Sequence, residues 1–153
     1  IFCCRYIPPW YCCLLSTRCV MVADINVSMS GDMRYLRLYA DNDGETHFED
    51  VEDEMRVGDF APPAEPFLVL EIRDAKRFSF FEFPAGWIGI AHPAPRRQYF
   101  AVVQGAIEIT ASDGETRTAK LGDVVLAEDT NSKGHVTRVI GDENFIAALT
   151  QLE

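Results

Sequence analysis

The side chains able to do chemistry in this sequence are few. His92, Arg96, Gln98 and Tyr99 fall in HPAPRRQYFAVVQG (92–105), an apolar run closed by glycine, and Glu128 and His135 flank the loop DTNSKG. An imidazole exchanges a proton near neutral pH or ligates a metal. A guanidinium clamps a carboxylate or phosphate through paired hydrogen bonds, and a carboxylate at a strand end can serve as a general base. The third histidine, His47, lies in the acidic THFEDVE and reads as a surface residue. Serine-nucleophile and cysteine chemistry find no support, because no G-x-S-x-G occurs and no cysteine follows Cys19. The glycines are scattered at turns, so no phosphate-cradling loop is present either.

The elements that must position these residues read as strands. In MRYLRLYA, Leu36 and Leu38 alternate with Arg37 and Tyr39, the period of a half-buried strand. THFEDVE, FLVLEI, RFSFFEF, VVLAE, HVTRVI and FIAALTQL follow as further short candidates. AIEITASDGETRTA is the clearest: Ile107 and Ile109 alternate with Glu108 and Thr110, and Asp113-Gly114 suits a tight hairpin. APPAEP (61–66) is a proline-rich link between an N-terminal strand arm and the main β region. Seven to nine short strands without a convincing helix predict an all-β sandwich or closed barrel.

On a strand, residues two and four apart share a face. Position 92 therefore shares its parity with Arg96 and Gln98, which places them in the lumen if the strand stays regular. Arg96 would then clamp an anionic ligand; alternatively, it sits in the loop after Pro93 and Pro95 and pairs with surface carboxylates. Glu128 enters the pocket or caps a strand end in water. Trp87 and Tyr99 wall a ligand or belong to the core.

The spacing of Gly86, His92, Gln98 and Gly105 resembles the first motif of the cupin family, with Ala94 at the second histidine position and Gln98 at the glutamate position. The second motif is matched by Gly122 and, through a loop two residues longer than usual, by His135. Glu128 stands where proline is expected and Val139 where asparagine is. This resemblance covers about residues 65–153 and implies a single-domain, cupin-type jelly-roll β-barrel. Cupins hold a divalent metal with three imidazoles and a carboxylate. Here the resemblance implies that His92, Gln98 and His135 would be the ligands if zinc, manganese, iron, nickel or copper were bound, but the donor set is degraded and no metal is favoured. The expected function is binding of a small organic ligand, anionic where Arg96 clamps it, by a pocket of His92, Arg96, Gln98, Tyr99, Glu128 and His135. The alternative is a metal-dependent dioxygenase or isomerase using His92 and His135; whether the chain is an enzyme stays open.

Bulk properties narrow the classes. The chain has 153 residues, 48% of them hydrophobic and 25% charged, enough for one domain with a real core. Its net charge of −10 argues against nucleic acid and anionic membranes. The acidic stretch DNDGETHFEDVEDE (41–54) lacks the ligand spacing of a calcium loop and reads as a solvated face. Residues 1–20 hold all five cysteines and read as a non-native or disordered extension, with Met21 or Met33 as the start, residues 21–64 as the strand arm and residues 65–153 as the barrel. A cytoplasmic homodimer is expected, since exposed strand edges favour pairing with a second copy.

Overall fold

The computed structural model describes residues 31–152, so the reading of residues 1–20 and the start at Met21 lie outside the described residues. Every regular element among them is a strand. The arm is β1 (Gly31–Ala40) and β2 (Thr46–Gly58), followed by β3 (Phe67–Val69) and β4 (Arg77–Phe83). Then come β5 (Gln98–Gln104), β6 (Ala106–Ala111), β7 (Thr116–Lys120) and β8 (Val124–Ala127). β9 (His135–Ile140) and β10 (Phe145–Gln151) complete the chain. The ten strands among the described residues exceed the expected seven to nine by one, and FLVLEI is a strand only through Val69, where pairing with Arg56–Gly58 ends.

The larger sheet runs β3-β2-β1-β8-β5-β10-β4 and the smaller β7-β6-β9. Two isolated pairings, Ile88 with Arg138 and His92 with His135, lay the segment 88–92 along the free edge of β9. The smaller sheet thus gains a fourth rung, giving the segment, β9, β6 and β7 opposite β4, β10, β5 and β8. That nested order is a jelly roll. The arm is not a separate appendage: β1 pairs antiparallel with β2 and parallel with β8, extending the larger sheet.

Binary patterning decides which faces meet. Ile107 and Ile109 are each 2% exposed, whereas Glu108 between them reaches Arg138 on β9. Phe100, Val102, Phe145 and Ala147 face them from the other sheet, with Leu38 and Val125 closing the core from β1 and β8. Burying a Phe or Leu side chain contributes about 1.5–3 kcal/mol, so this inner layer dominates the fold's stability. The Asp113-Gly114 hairpin is present as a four-residue connection, Ser112 to Glu115, in which Gly114 takes φ +92° and donates to Ala111 O.

Candidate functional site

The cavity between the sheets is small, about 90 Å³, and mostly apolar. Leu38, Phe81, Phe83, Trp87, Phe100, Ile107 and Ile109 form its walls, and its polar contributors are His92, Gln98, His135 and Thr137. Trp87 stacks on Phe83 with ring centroids 4.1 Å apart, so the indole is fixed as part of the wall. Larger depressions elsewhere, such as the groove of about 560 Å³ between the arm and β7–β8, have their arginines, Arg34 and Arg117, paired to carboxylates.

His92 and His135 are brought together by a pair of backbone hydrogen bonds, His92 N to His135 O at 3.1 Å and His135 N to His92 O at 3.0 Å. Residues that exchange both bonds in an antiparallel pair project side by side on one face, and the imidazole centroids are 5.0 Å apart. Each ring is anchored through Nδ1. His92 Nδ1 donates to Ile90 O at 2.7 Å, and His135 Nδ1 lies 2.8 Å from Asp129 Oδ2. A carbonyl only accepts, so His92 carries its proton on Nδ1 when neutral. The carboxylate favours the same tautomer for His135. Both rings are left with Nε2 as the atom available to a ligand.

Asp129 organises this arrangement from a fully buried position. Its Oδ1 accepts from Ala94 N at 3.2 Å, while Oδ2 takes His135 Nδ1 and Ser132 Oγ. Ser132 Oγ in turn accepts from Gly134 N at 2.9 Å. Gly134 has φ +87°, and a Cβ there would overlap the backbone of His92 and lie 2.6 Å from its carbonyl oxygen. Glycine is therefore required both for backbone conformation and for the close approach of the two histidine-bearing segments. Asp129 was not singled out from the sequence. The one signal was its place in the lengthened loop before His135, and the partners that make it buried come from residues distant in sequence.

The other expected pocket residues divide. Gln98 lines the cavity and accepts from Gln151 Nε2 at 3.3 Å. Arg96 does not line it: the side chain is exposed, because residues 93–97 form a loop and strand alternation starts only at Gln98. Tyr99 lies on the outer face of β5, edge-on to Tyr35 with centroids 5.7 Å apart and hydrogen-bonded by Arg73. Burial, reinforced by Tyr99 and Asp53, pushes the Tyr35 hydroxyl up, so it stays a donor to Asp53. Glu128 also faces outward, between Arg37 and Arg97, with Arg37 Nε at 2.5 Å. Burial alone would push its pKa up; the two guanidiniums overcome this and hold it below the usual carboxylate range. Glu128 is thus tied up in ion pairs and cannot serve as a base in the lumen. His47, the surface histidine, is raised by hydrogen bonds to Asp41 and Asp113, joining the arm to the β6–β7 hairpin.

The residues at the cavity do not fit a tightly held divalent ion. Two anchored imidazoles suit one half of such a site. Ala94, however, is buried without a donor and Gln98 brings no charge. Among the described residues, no three His, Cys, Asp or Glu side chains converge as a metal site would require. No described helix is long and apolar enough to cross a membrane.

No family model matches the chain, and no curated protein matches it. Solved structures with coarse likeness include a cupin 2 conserved barrel domain protein from Salinispora arenicola. It is 19% identical over 65% of this chain and 76% of that one, at a TM-score of 0.42. The cupin domain of Cnp3 from Schizosaccharomyces pombe is 15% identical over 80% of this chain and 84% of that one, at 0.39. A conserved Streptococcus pyogenes protein of unknown function is 20% identical over 50% of this chain and 62% of that one, also at 0.39. This chain therefore spans less than two thirds of the streptococcal protein. At this level of likeness nothing these proteins do transfers to the chain, whose jelly-roll fold stands on its own strand order.

Proposed function

We propose that this protein binds a small organic molecule in the jelly-roll lumen, with the polar end of the ligand at His92 and His135. The observation that carries this reading is the paired imidazoles, both anchored through Nδ1 and both offering Nε2 at the wall of an apolar cavity. Few convergent polar groups in a mostly apolar concavity are the usual makeup of a ligand site. The volume limits what enters. An apolar cavity of about 150 Å³ accommodates benzene, so 90 Å³ accepts a small head group or short chain, with any larger remainder left at the mouth beside the exposed His92. With Arg96 outside the cavity, the ligand's head is a hydroxyl or other small group hydrogen-bonded at the two Nε2 atoms, rather than an anion clamped by arginine.

A thermal-shift screen of short alcohols, phenols and small acids tests this. A ligand at a hundred times its dissociation constant stabilises the native state by about 2.7 kcal/mol, and the expected gain disappears in His135→Ala and in His92→Ala. Metal content of the purified protein is measured alongside. Near-stoichiometric zinc, manganese, iron, nickel or copper, lost in both variants, would replace this reading with a metal-dependent one.

A further inference from the structure

The turn that joins β1 to β2 is fastened to residues far away in sequence. Thr46 N donates to Ser112 Oγ at 2.8 Å, and His47 Nδ1 lies 2.6 Å from Asp113 Oδ2, both in the β6–β7 connection. Gly44 O accepts from Lys133 N at 2.9 Å, and Glu45 pairs with the Lys133 ammonium, which ties the turn to the loop 129–134 as well. The second nitrogen of His47, Nε2, meets Asp41 Oδ2 of its own turn at 3.2 Å.

Backbone amides fix both carboxylates against the ring. Asp41 Oδ1 accepts from Asp43 N and Glu45 N, and Asp113 Oδ1 accepts from Glu115 N. Neither Oδ2 can swing away from the imidazole without loss of those bonds. A charged imidazole donates from both nitrogens and satisfies both carboxylates. A neutral one has a single N–H and turns a lone pair toward one of them. The two protonation states of His47 are therefore unequal as fasteners. Thr46 adds a bias toward opening: its Oγ1 is buried in the same seam with no hydrogen-bond partner among the described residues, and an unpaired buried hydroxyl is costly.

We propose that His47 is a proton-operated clasp: charged, it holds the arm's turn against the β6–β7 connection, and neutral, it lets the turn lift from that connection and from the loop 129–134. The loop so braced begins with Asp129 and runs into His135, so the clasp sets how firmly the arm supports the mouth of the lumen, whatever the lumen holds.

The surrounding charges do not replace the imidazolium. Tyr39 of β1 lies against His47 with centroids 5.8 Å apart and carries the Arg37 guanidinium at 4.7 Å, but Arg37 is engaged by Glu49 and Glu128. Lys133 is engaged by Glu45 and Arg117 by Glu115, while Asp43 adds a further negative charge to the turn. The hydrogen bonds to Asp41 and Asp113 hold the His47 pKa above its ordinary 6.5. The clasp is thus fully closed below that value and is released as pH rises through the raised one.

Amide hydrogen exchange of the full chain tests the proposal, read by NMR from about pH 6 to about pH 9 with the His47 nitrogen signals followed in parallel. Protection of the Thr46 and Lys133 amides, corrected for the intrinsic rate, should fall about two- to fivefold along the His47 titration, the scale of a partly exposed ion pair. The Val139 amide, which donates to Trp87 O, should keep its protection. Asp113→Asn leaves Oδ1 for Glu115 N and offers Nδ2 to the lone pair of His47, so Thr46 should stay protected across the whole range. His47→Gln, uncharged at every pH, should show the alkaline protection of the wild type throughout, and thermal melts establish which variants are native. Thr46 protection that ignores the His47 titration would overturn the proposal. So would a pH dependence of Thr46 that survives in either folded variant, or a His47 midpoint at or below the ordinary 6.5.

Discussion

Asp129 decides the geometry of the site although it reaches no ligand itself. Its carboxylate holds the loop end at Ala94, the turn at Ser132 and the ring of His135 at once. Removing it leaves the Ala94 amide without its partner in a buried place, and an orphaned buried donor costs about 1–3 kcal/mol. Asp129→Ala should therefore lower the unfolding free energy by that amount in urea titrations, and His135 should lose its single tautomer. A stability equal to wild type would mean that the buried carboxylate is replaceable by water and does not organise the site. Sequence spacing pointed to His92 and His135 because their residue type is rare here, yet it passed over Asp129. A carboxylate in a polar loop looks solvated until the fold brings Ala94 and His135 against it.

At the scale of elements, alternation was legible and facing was not. Ile107, Ile109, Leu36 and Leu38 revealed their strands because each alternates with polar residues. Both faces of VVLAE carry apolar side chains, so nothing local indicates that Val125 and Ala127 face the core while Glu128 points outward. Likewise the proline-interrupted segment before Gln98 hid the end of strand parity, and with it the place of Arg96. Glu128 instead joins β8 to β1 through Arg37 and to the entry of β5 through Arg97.

Because its folded pKa lies below the ordinary value of 4.5, this linkage adds stability above that value and loses it as pH falls through the lowered folded one. Glu128→Gln should be less stable than wild type at neutral pH, with the gap narrowing in acid as the wild-type carboxylate is protonated. Urea titrations at neutral pH and below the carboxylate range read this directly. A gap independent of pH would show that the ion pairs contribute nothing beyond shape.

For the whole molecule, the jelly roll serves to hold two short segments, 88–92 and the start of β9, at one end of an apolar lumen. The strand order was partly legible, since glycine spacing and the hairpin resemble a known barrel pattern. The parallel seating of β1 on β8 was not, because pairing between residues so far apart in sequence leaves no local signature. The cavity's volume was equally hidden. It depends on how Phe81, Phe83, Trp87 and Phe100 pack across two sheets.

The most direct measurement is long-range nitrogen–proton NMR of nitrogen-15-labelled histidine, recorded alone and during titration with phenol, a short alcohol and acetate. Without ligand, His92 and His135 should both appear as Nδ1–H tautomers. With at least one of these probes, both Nε2 signals should move while His47, on the outer clasp of the arm, stays in place. Nε2–H tautomers at the two rings, or Nε2 signals that no probe moves, would contradict a ligand site built from His92 and His135.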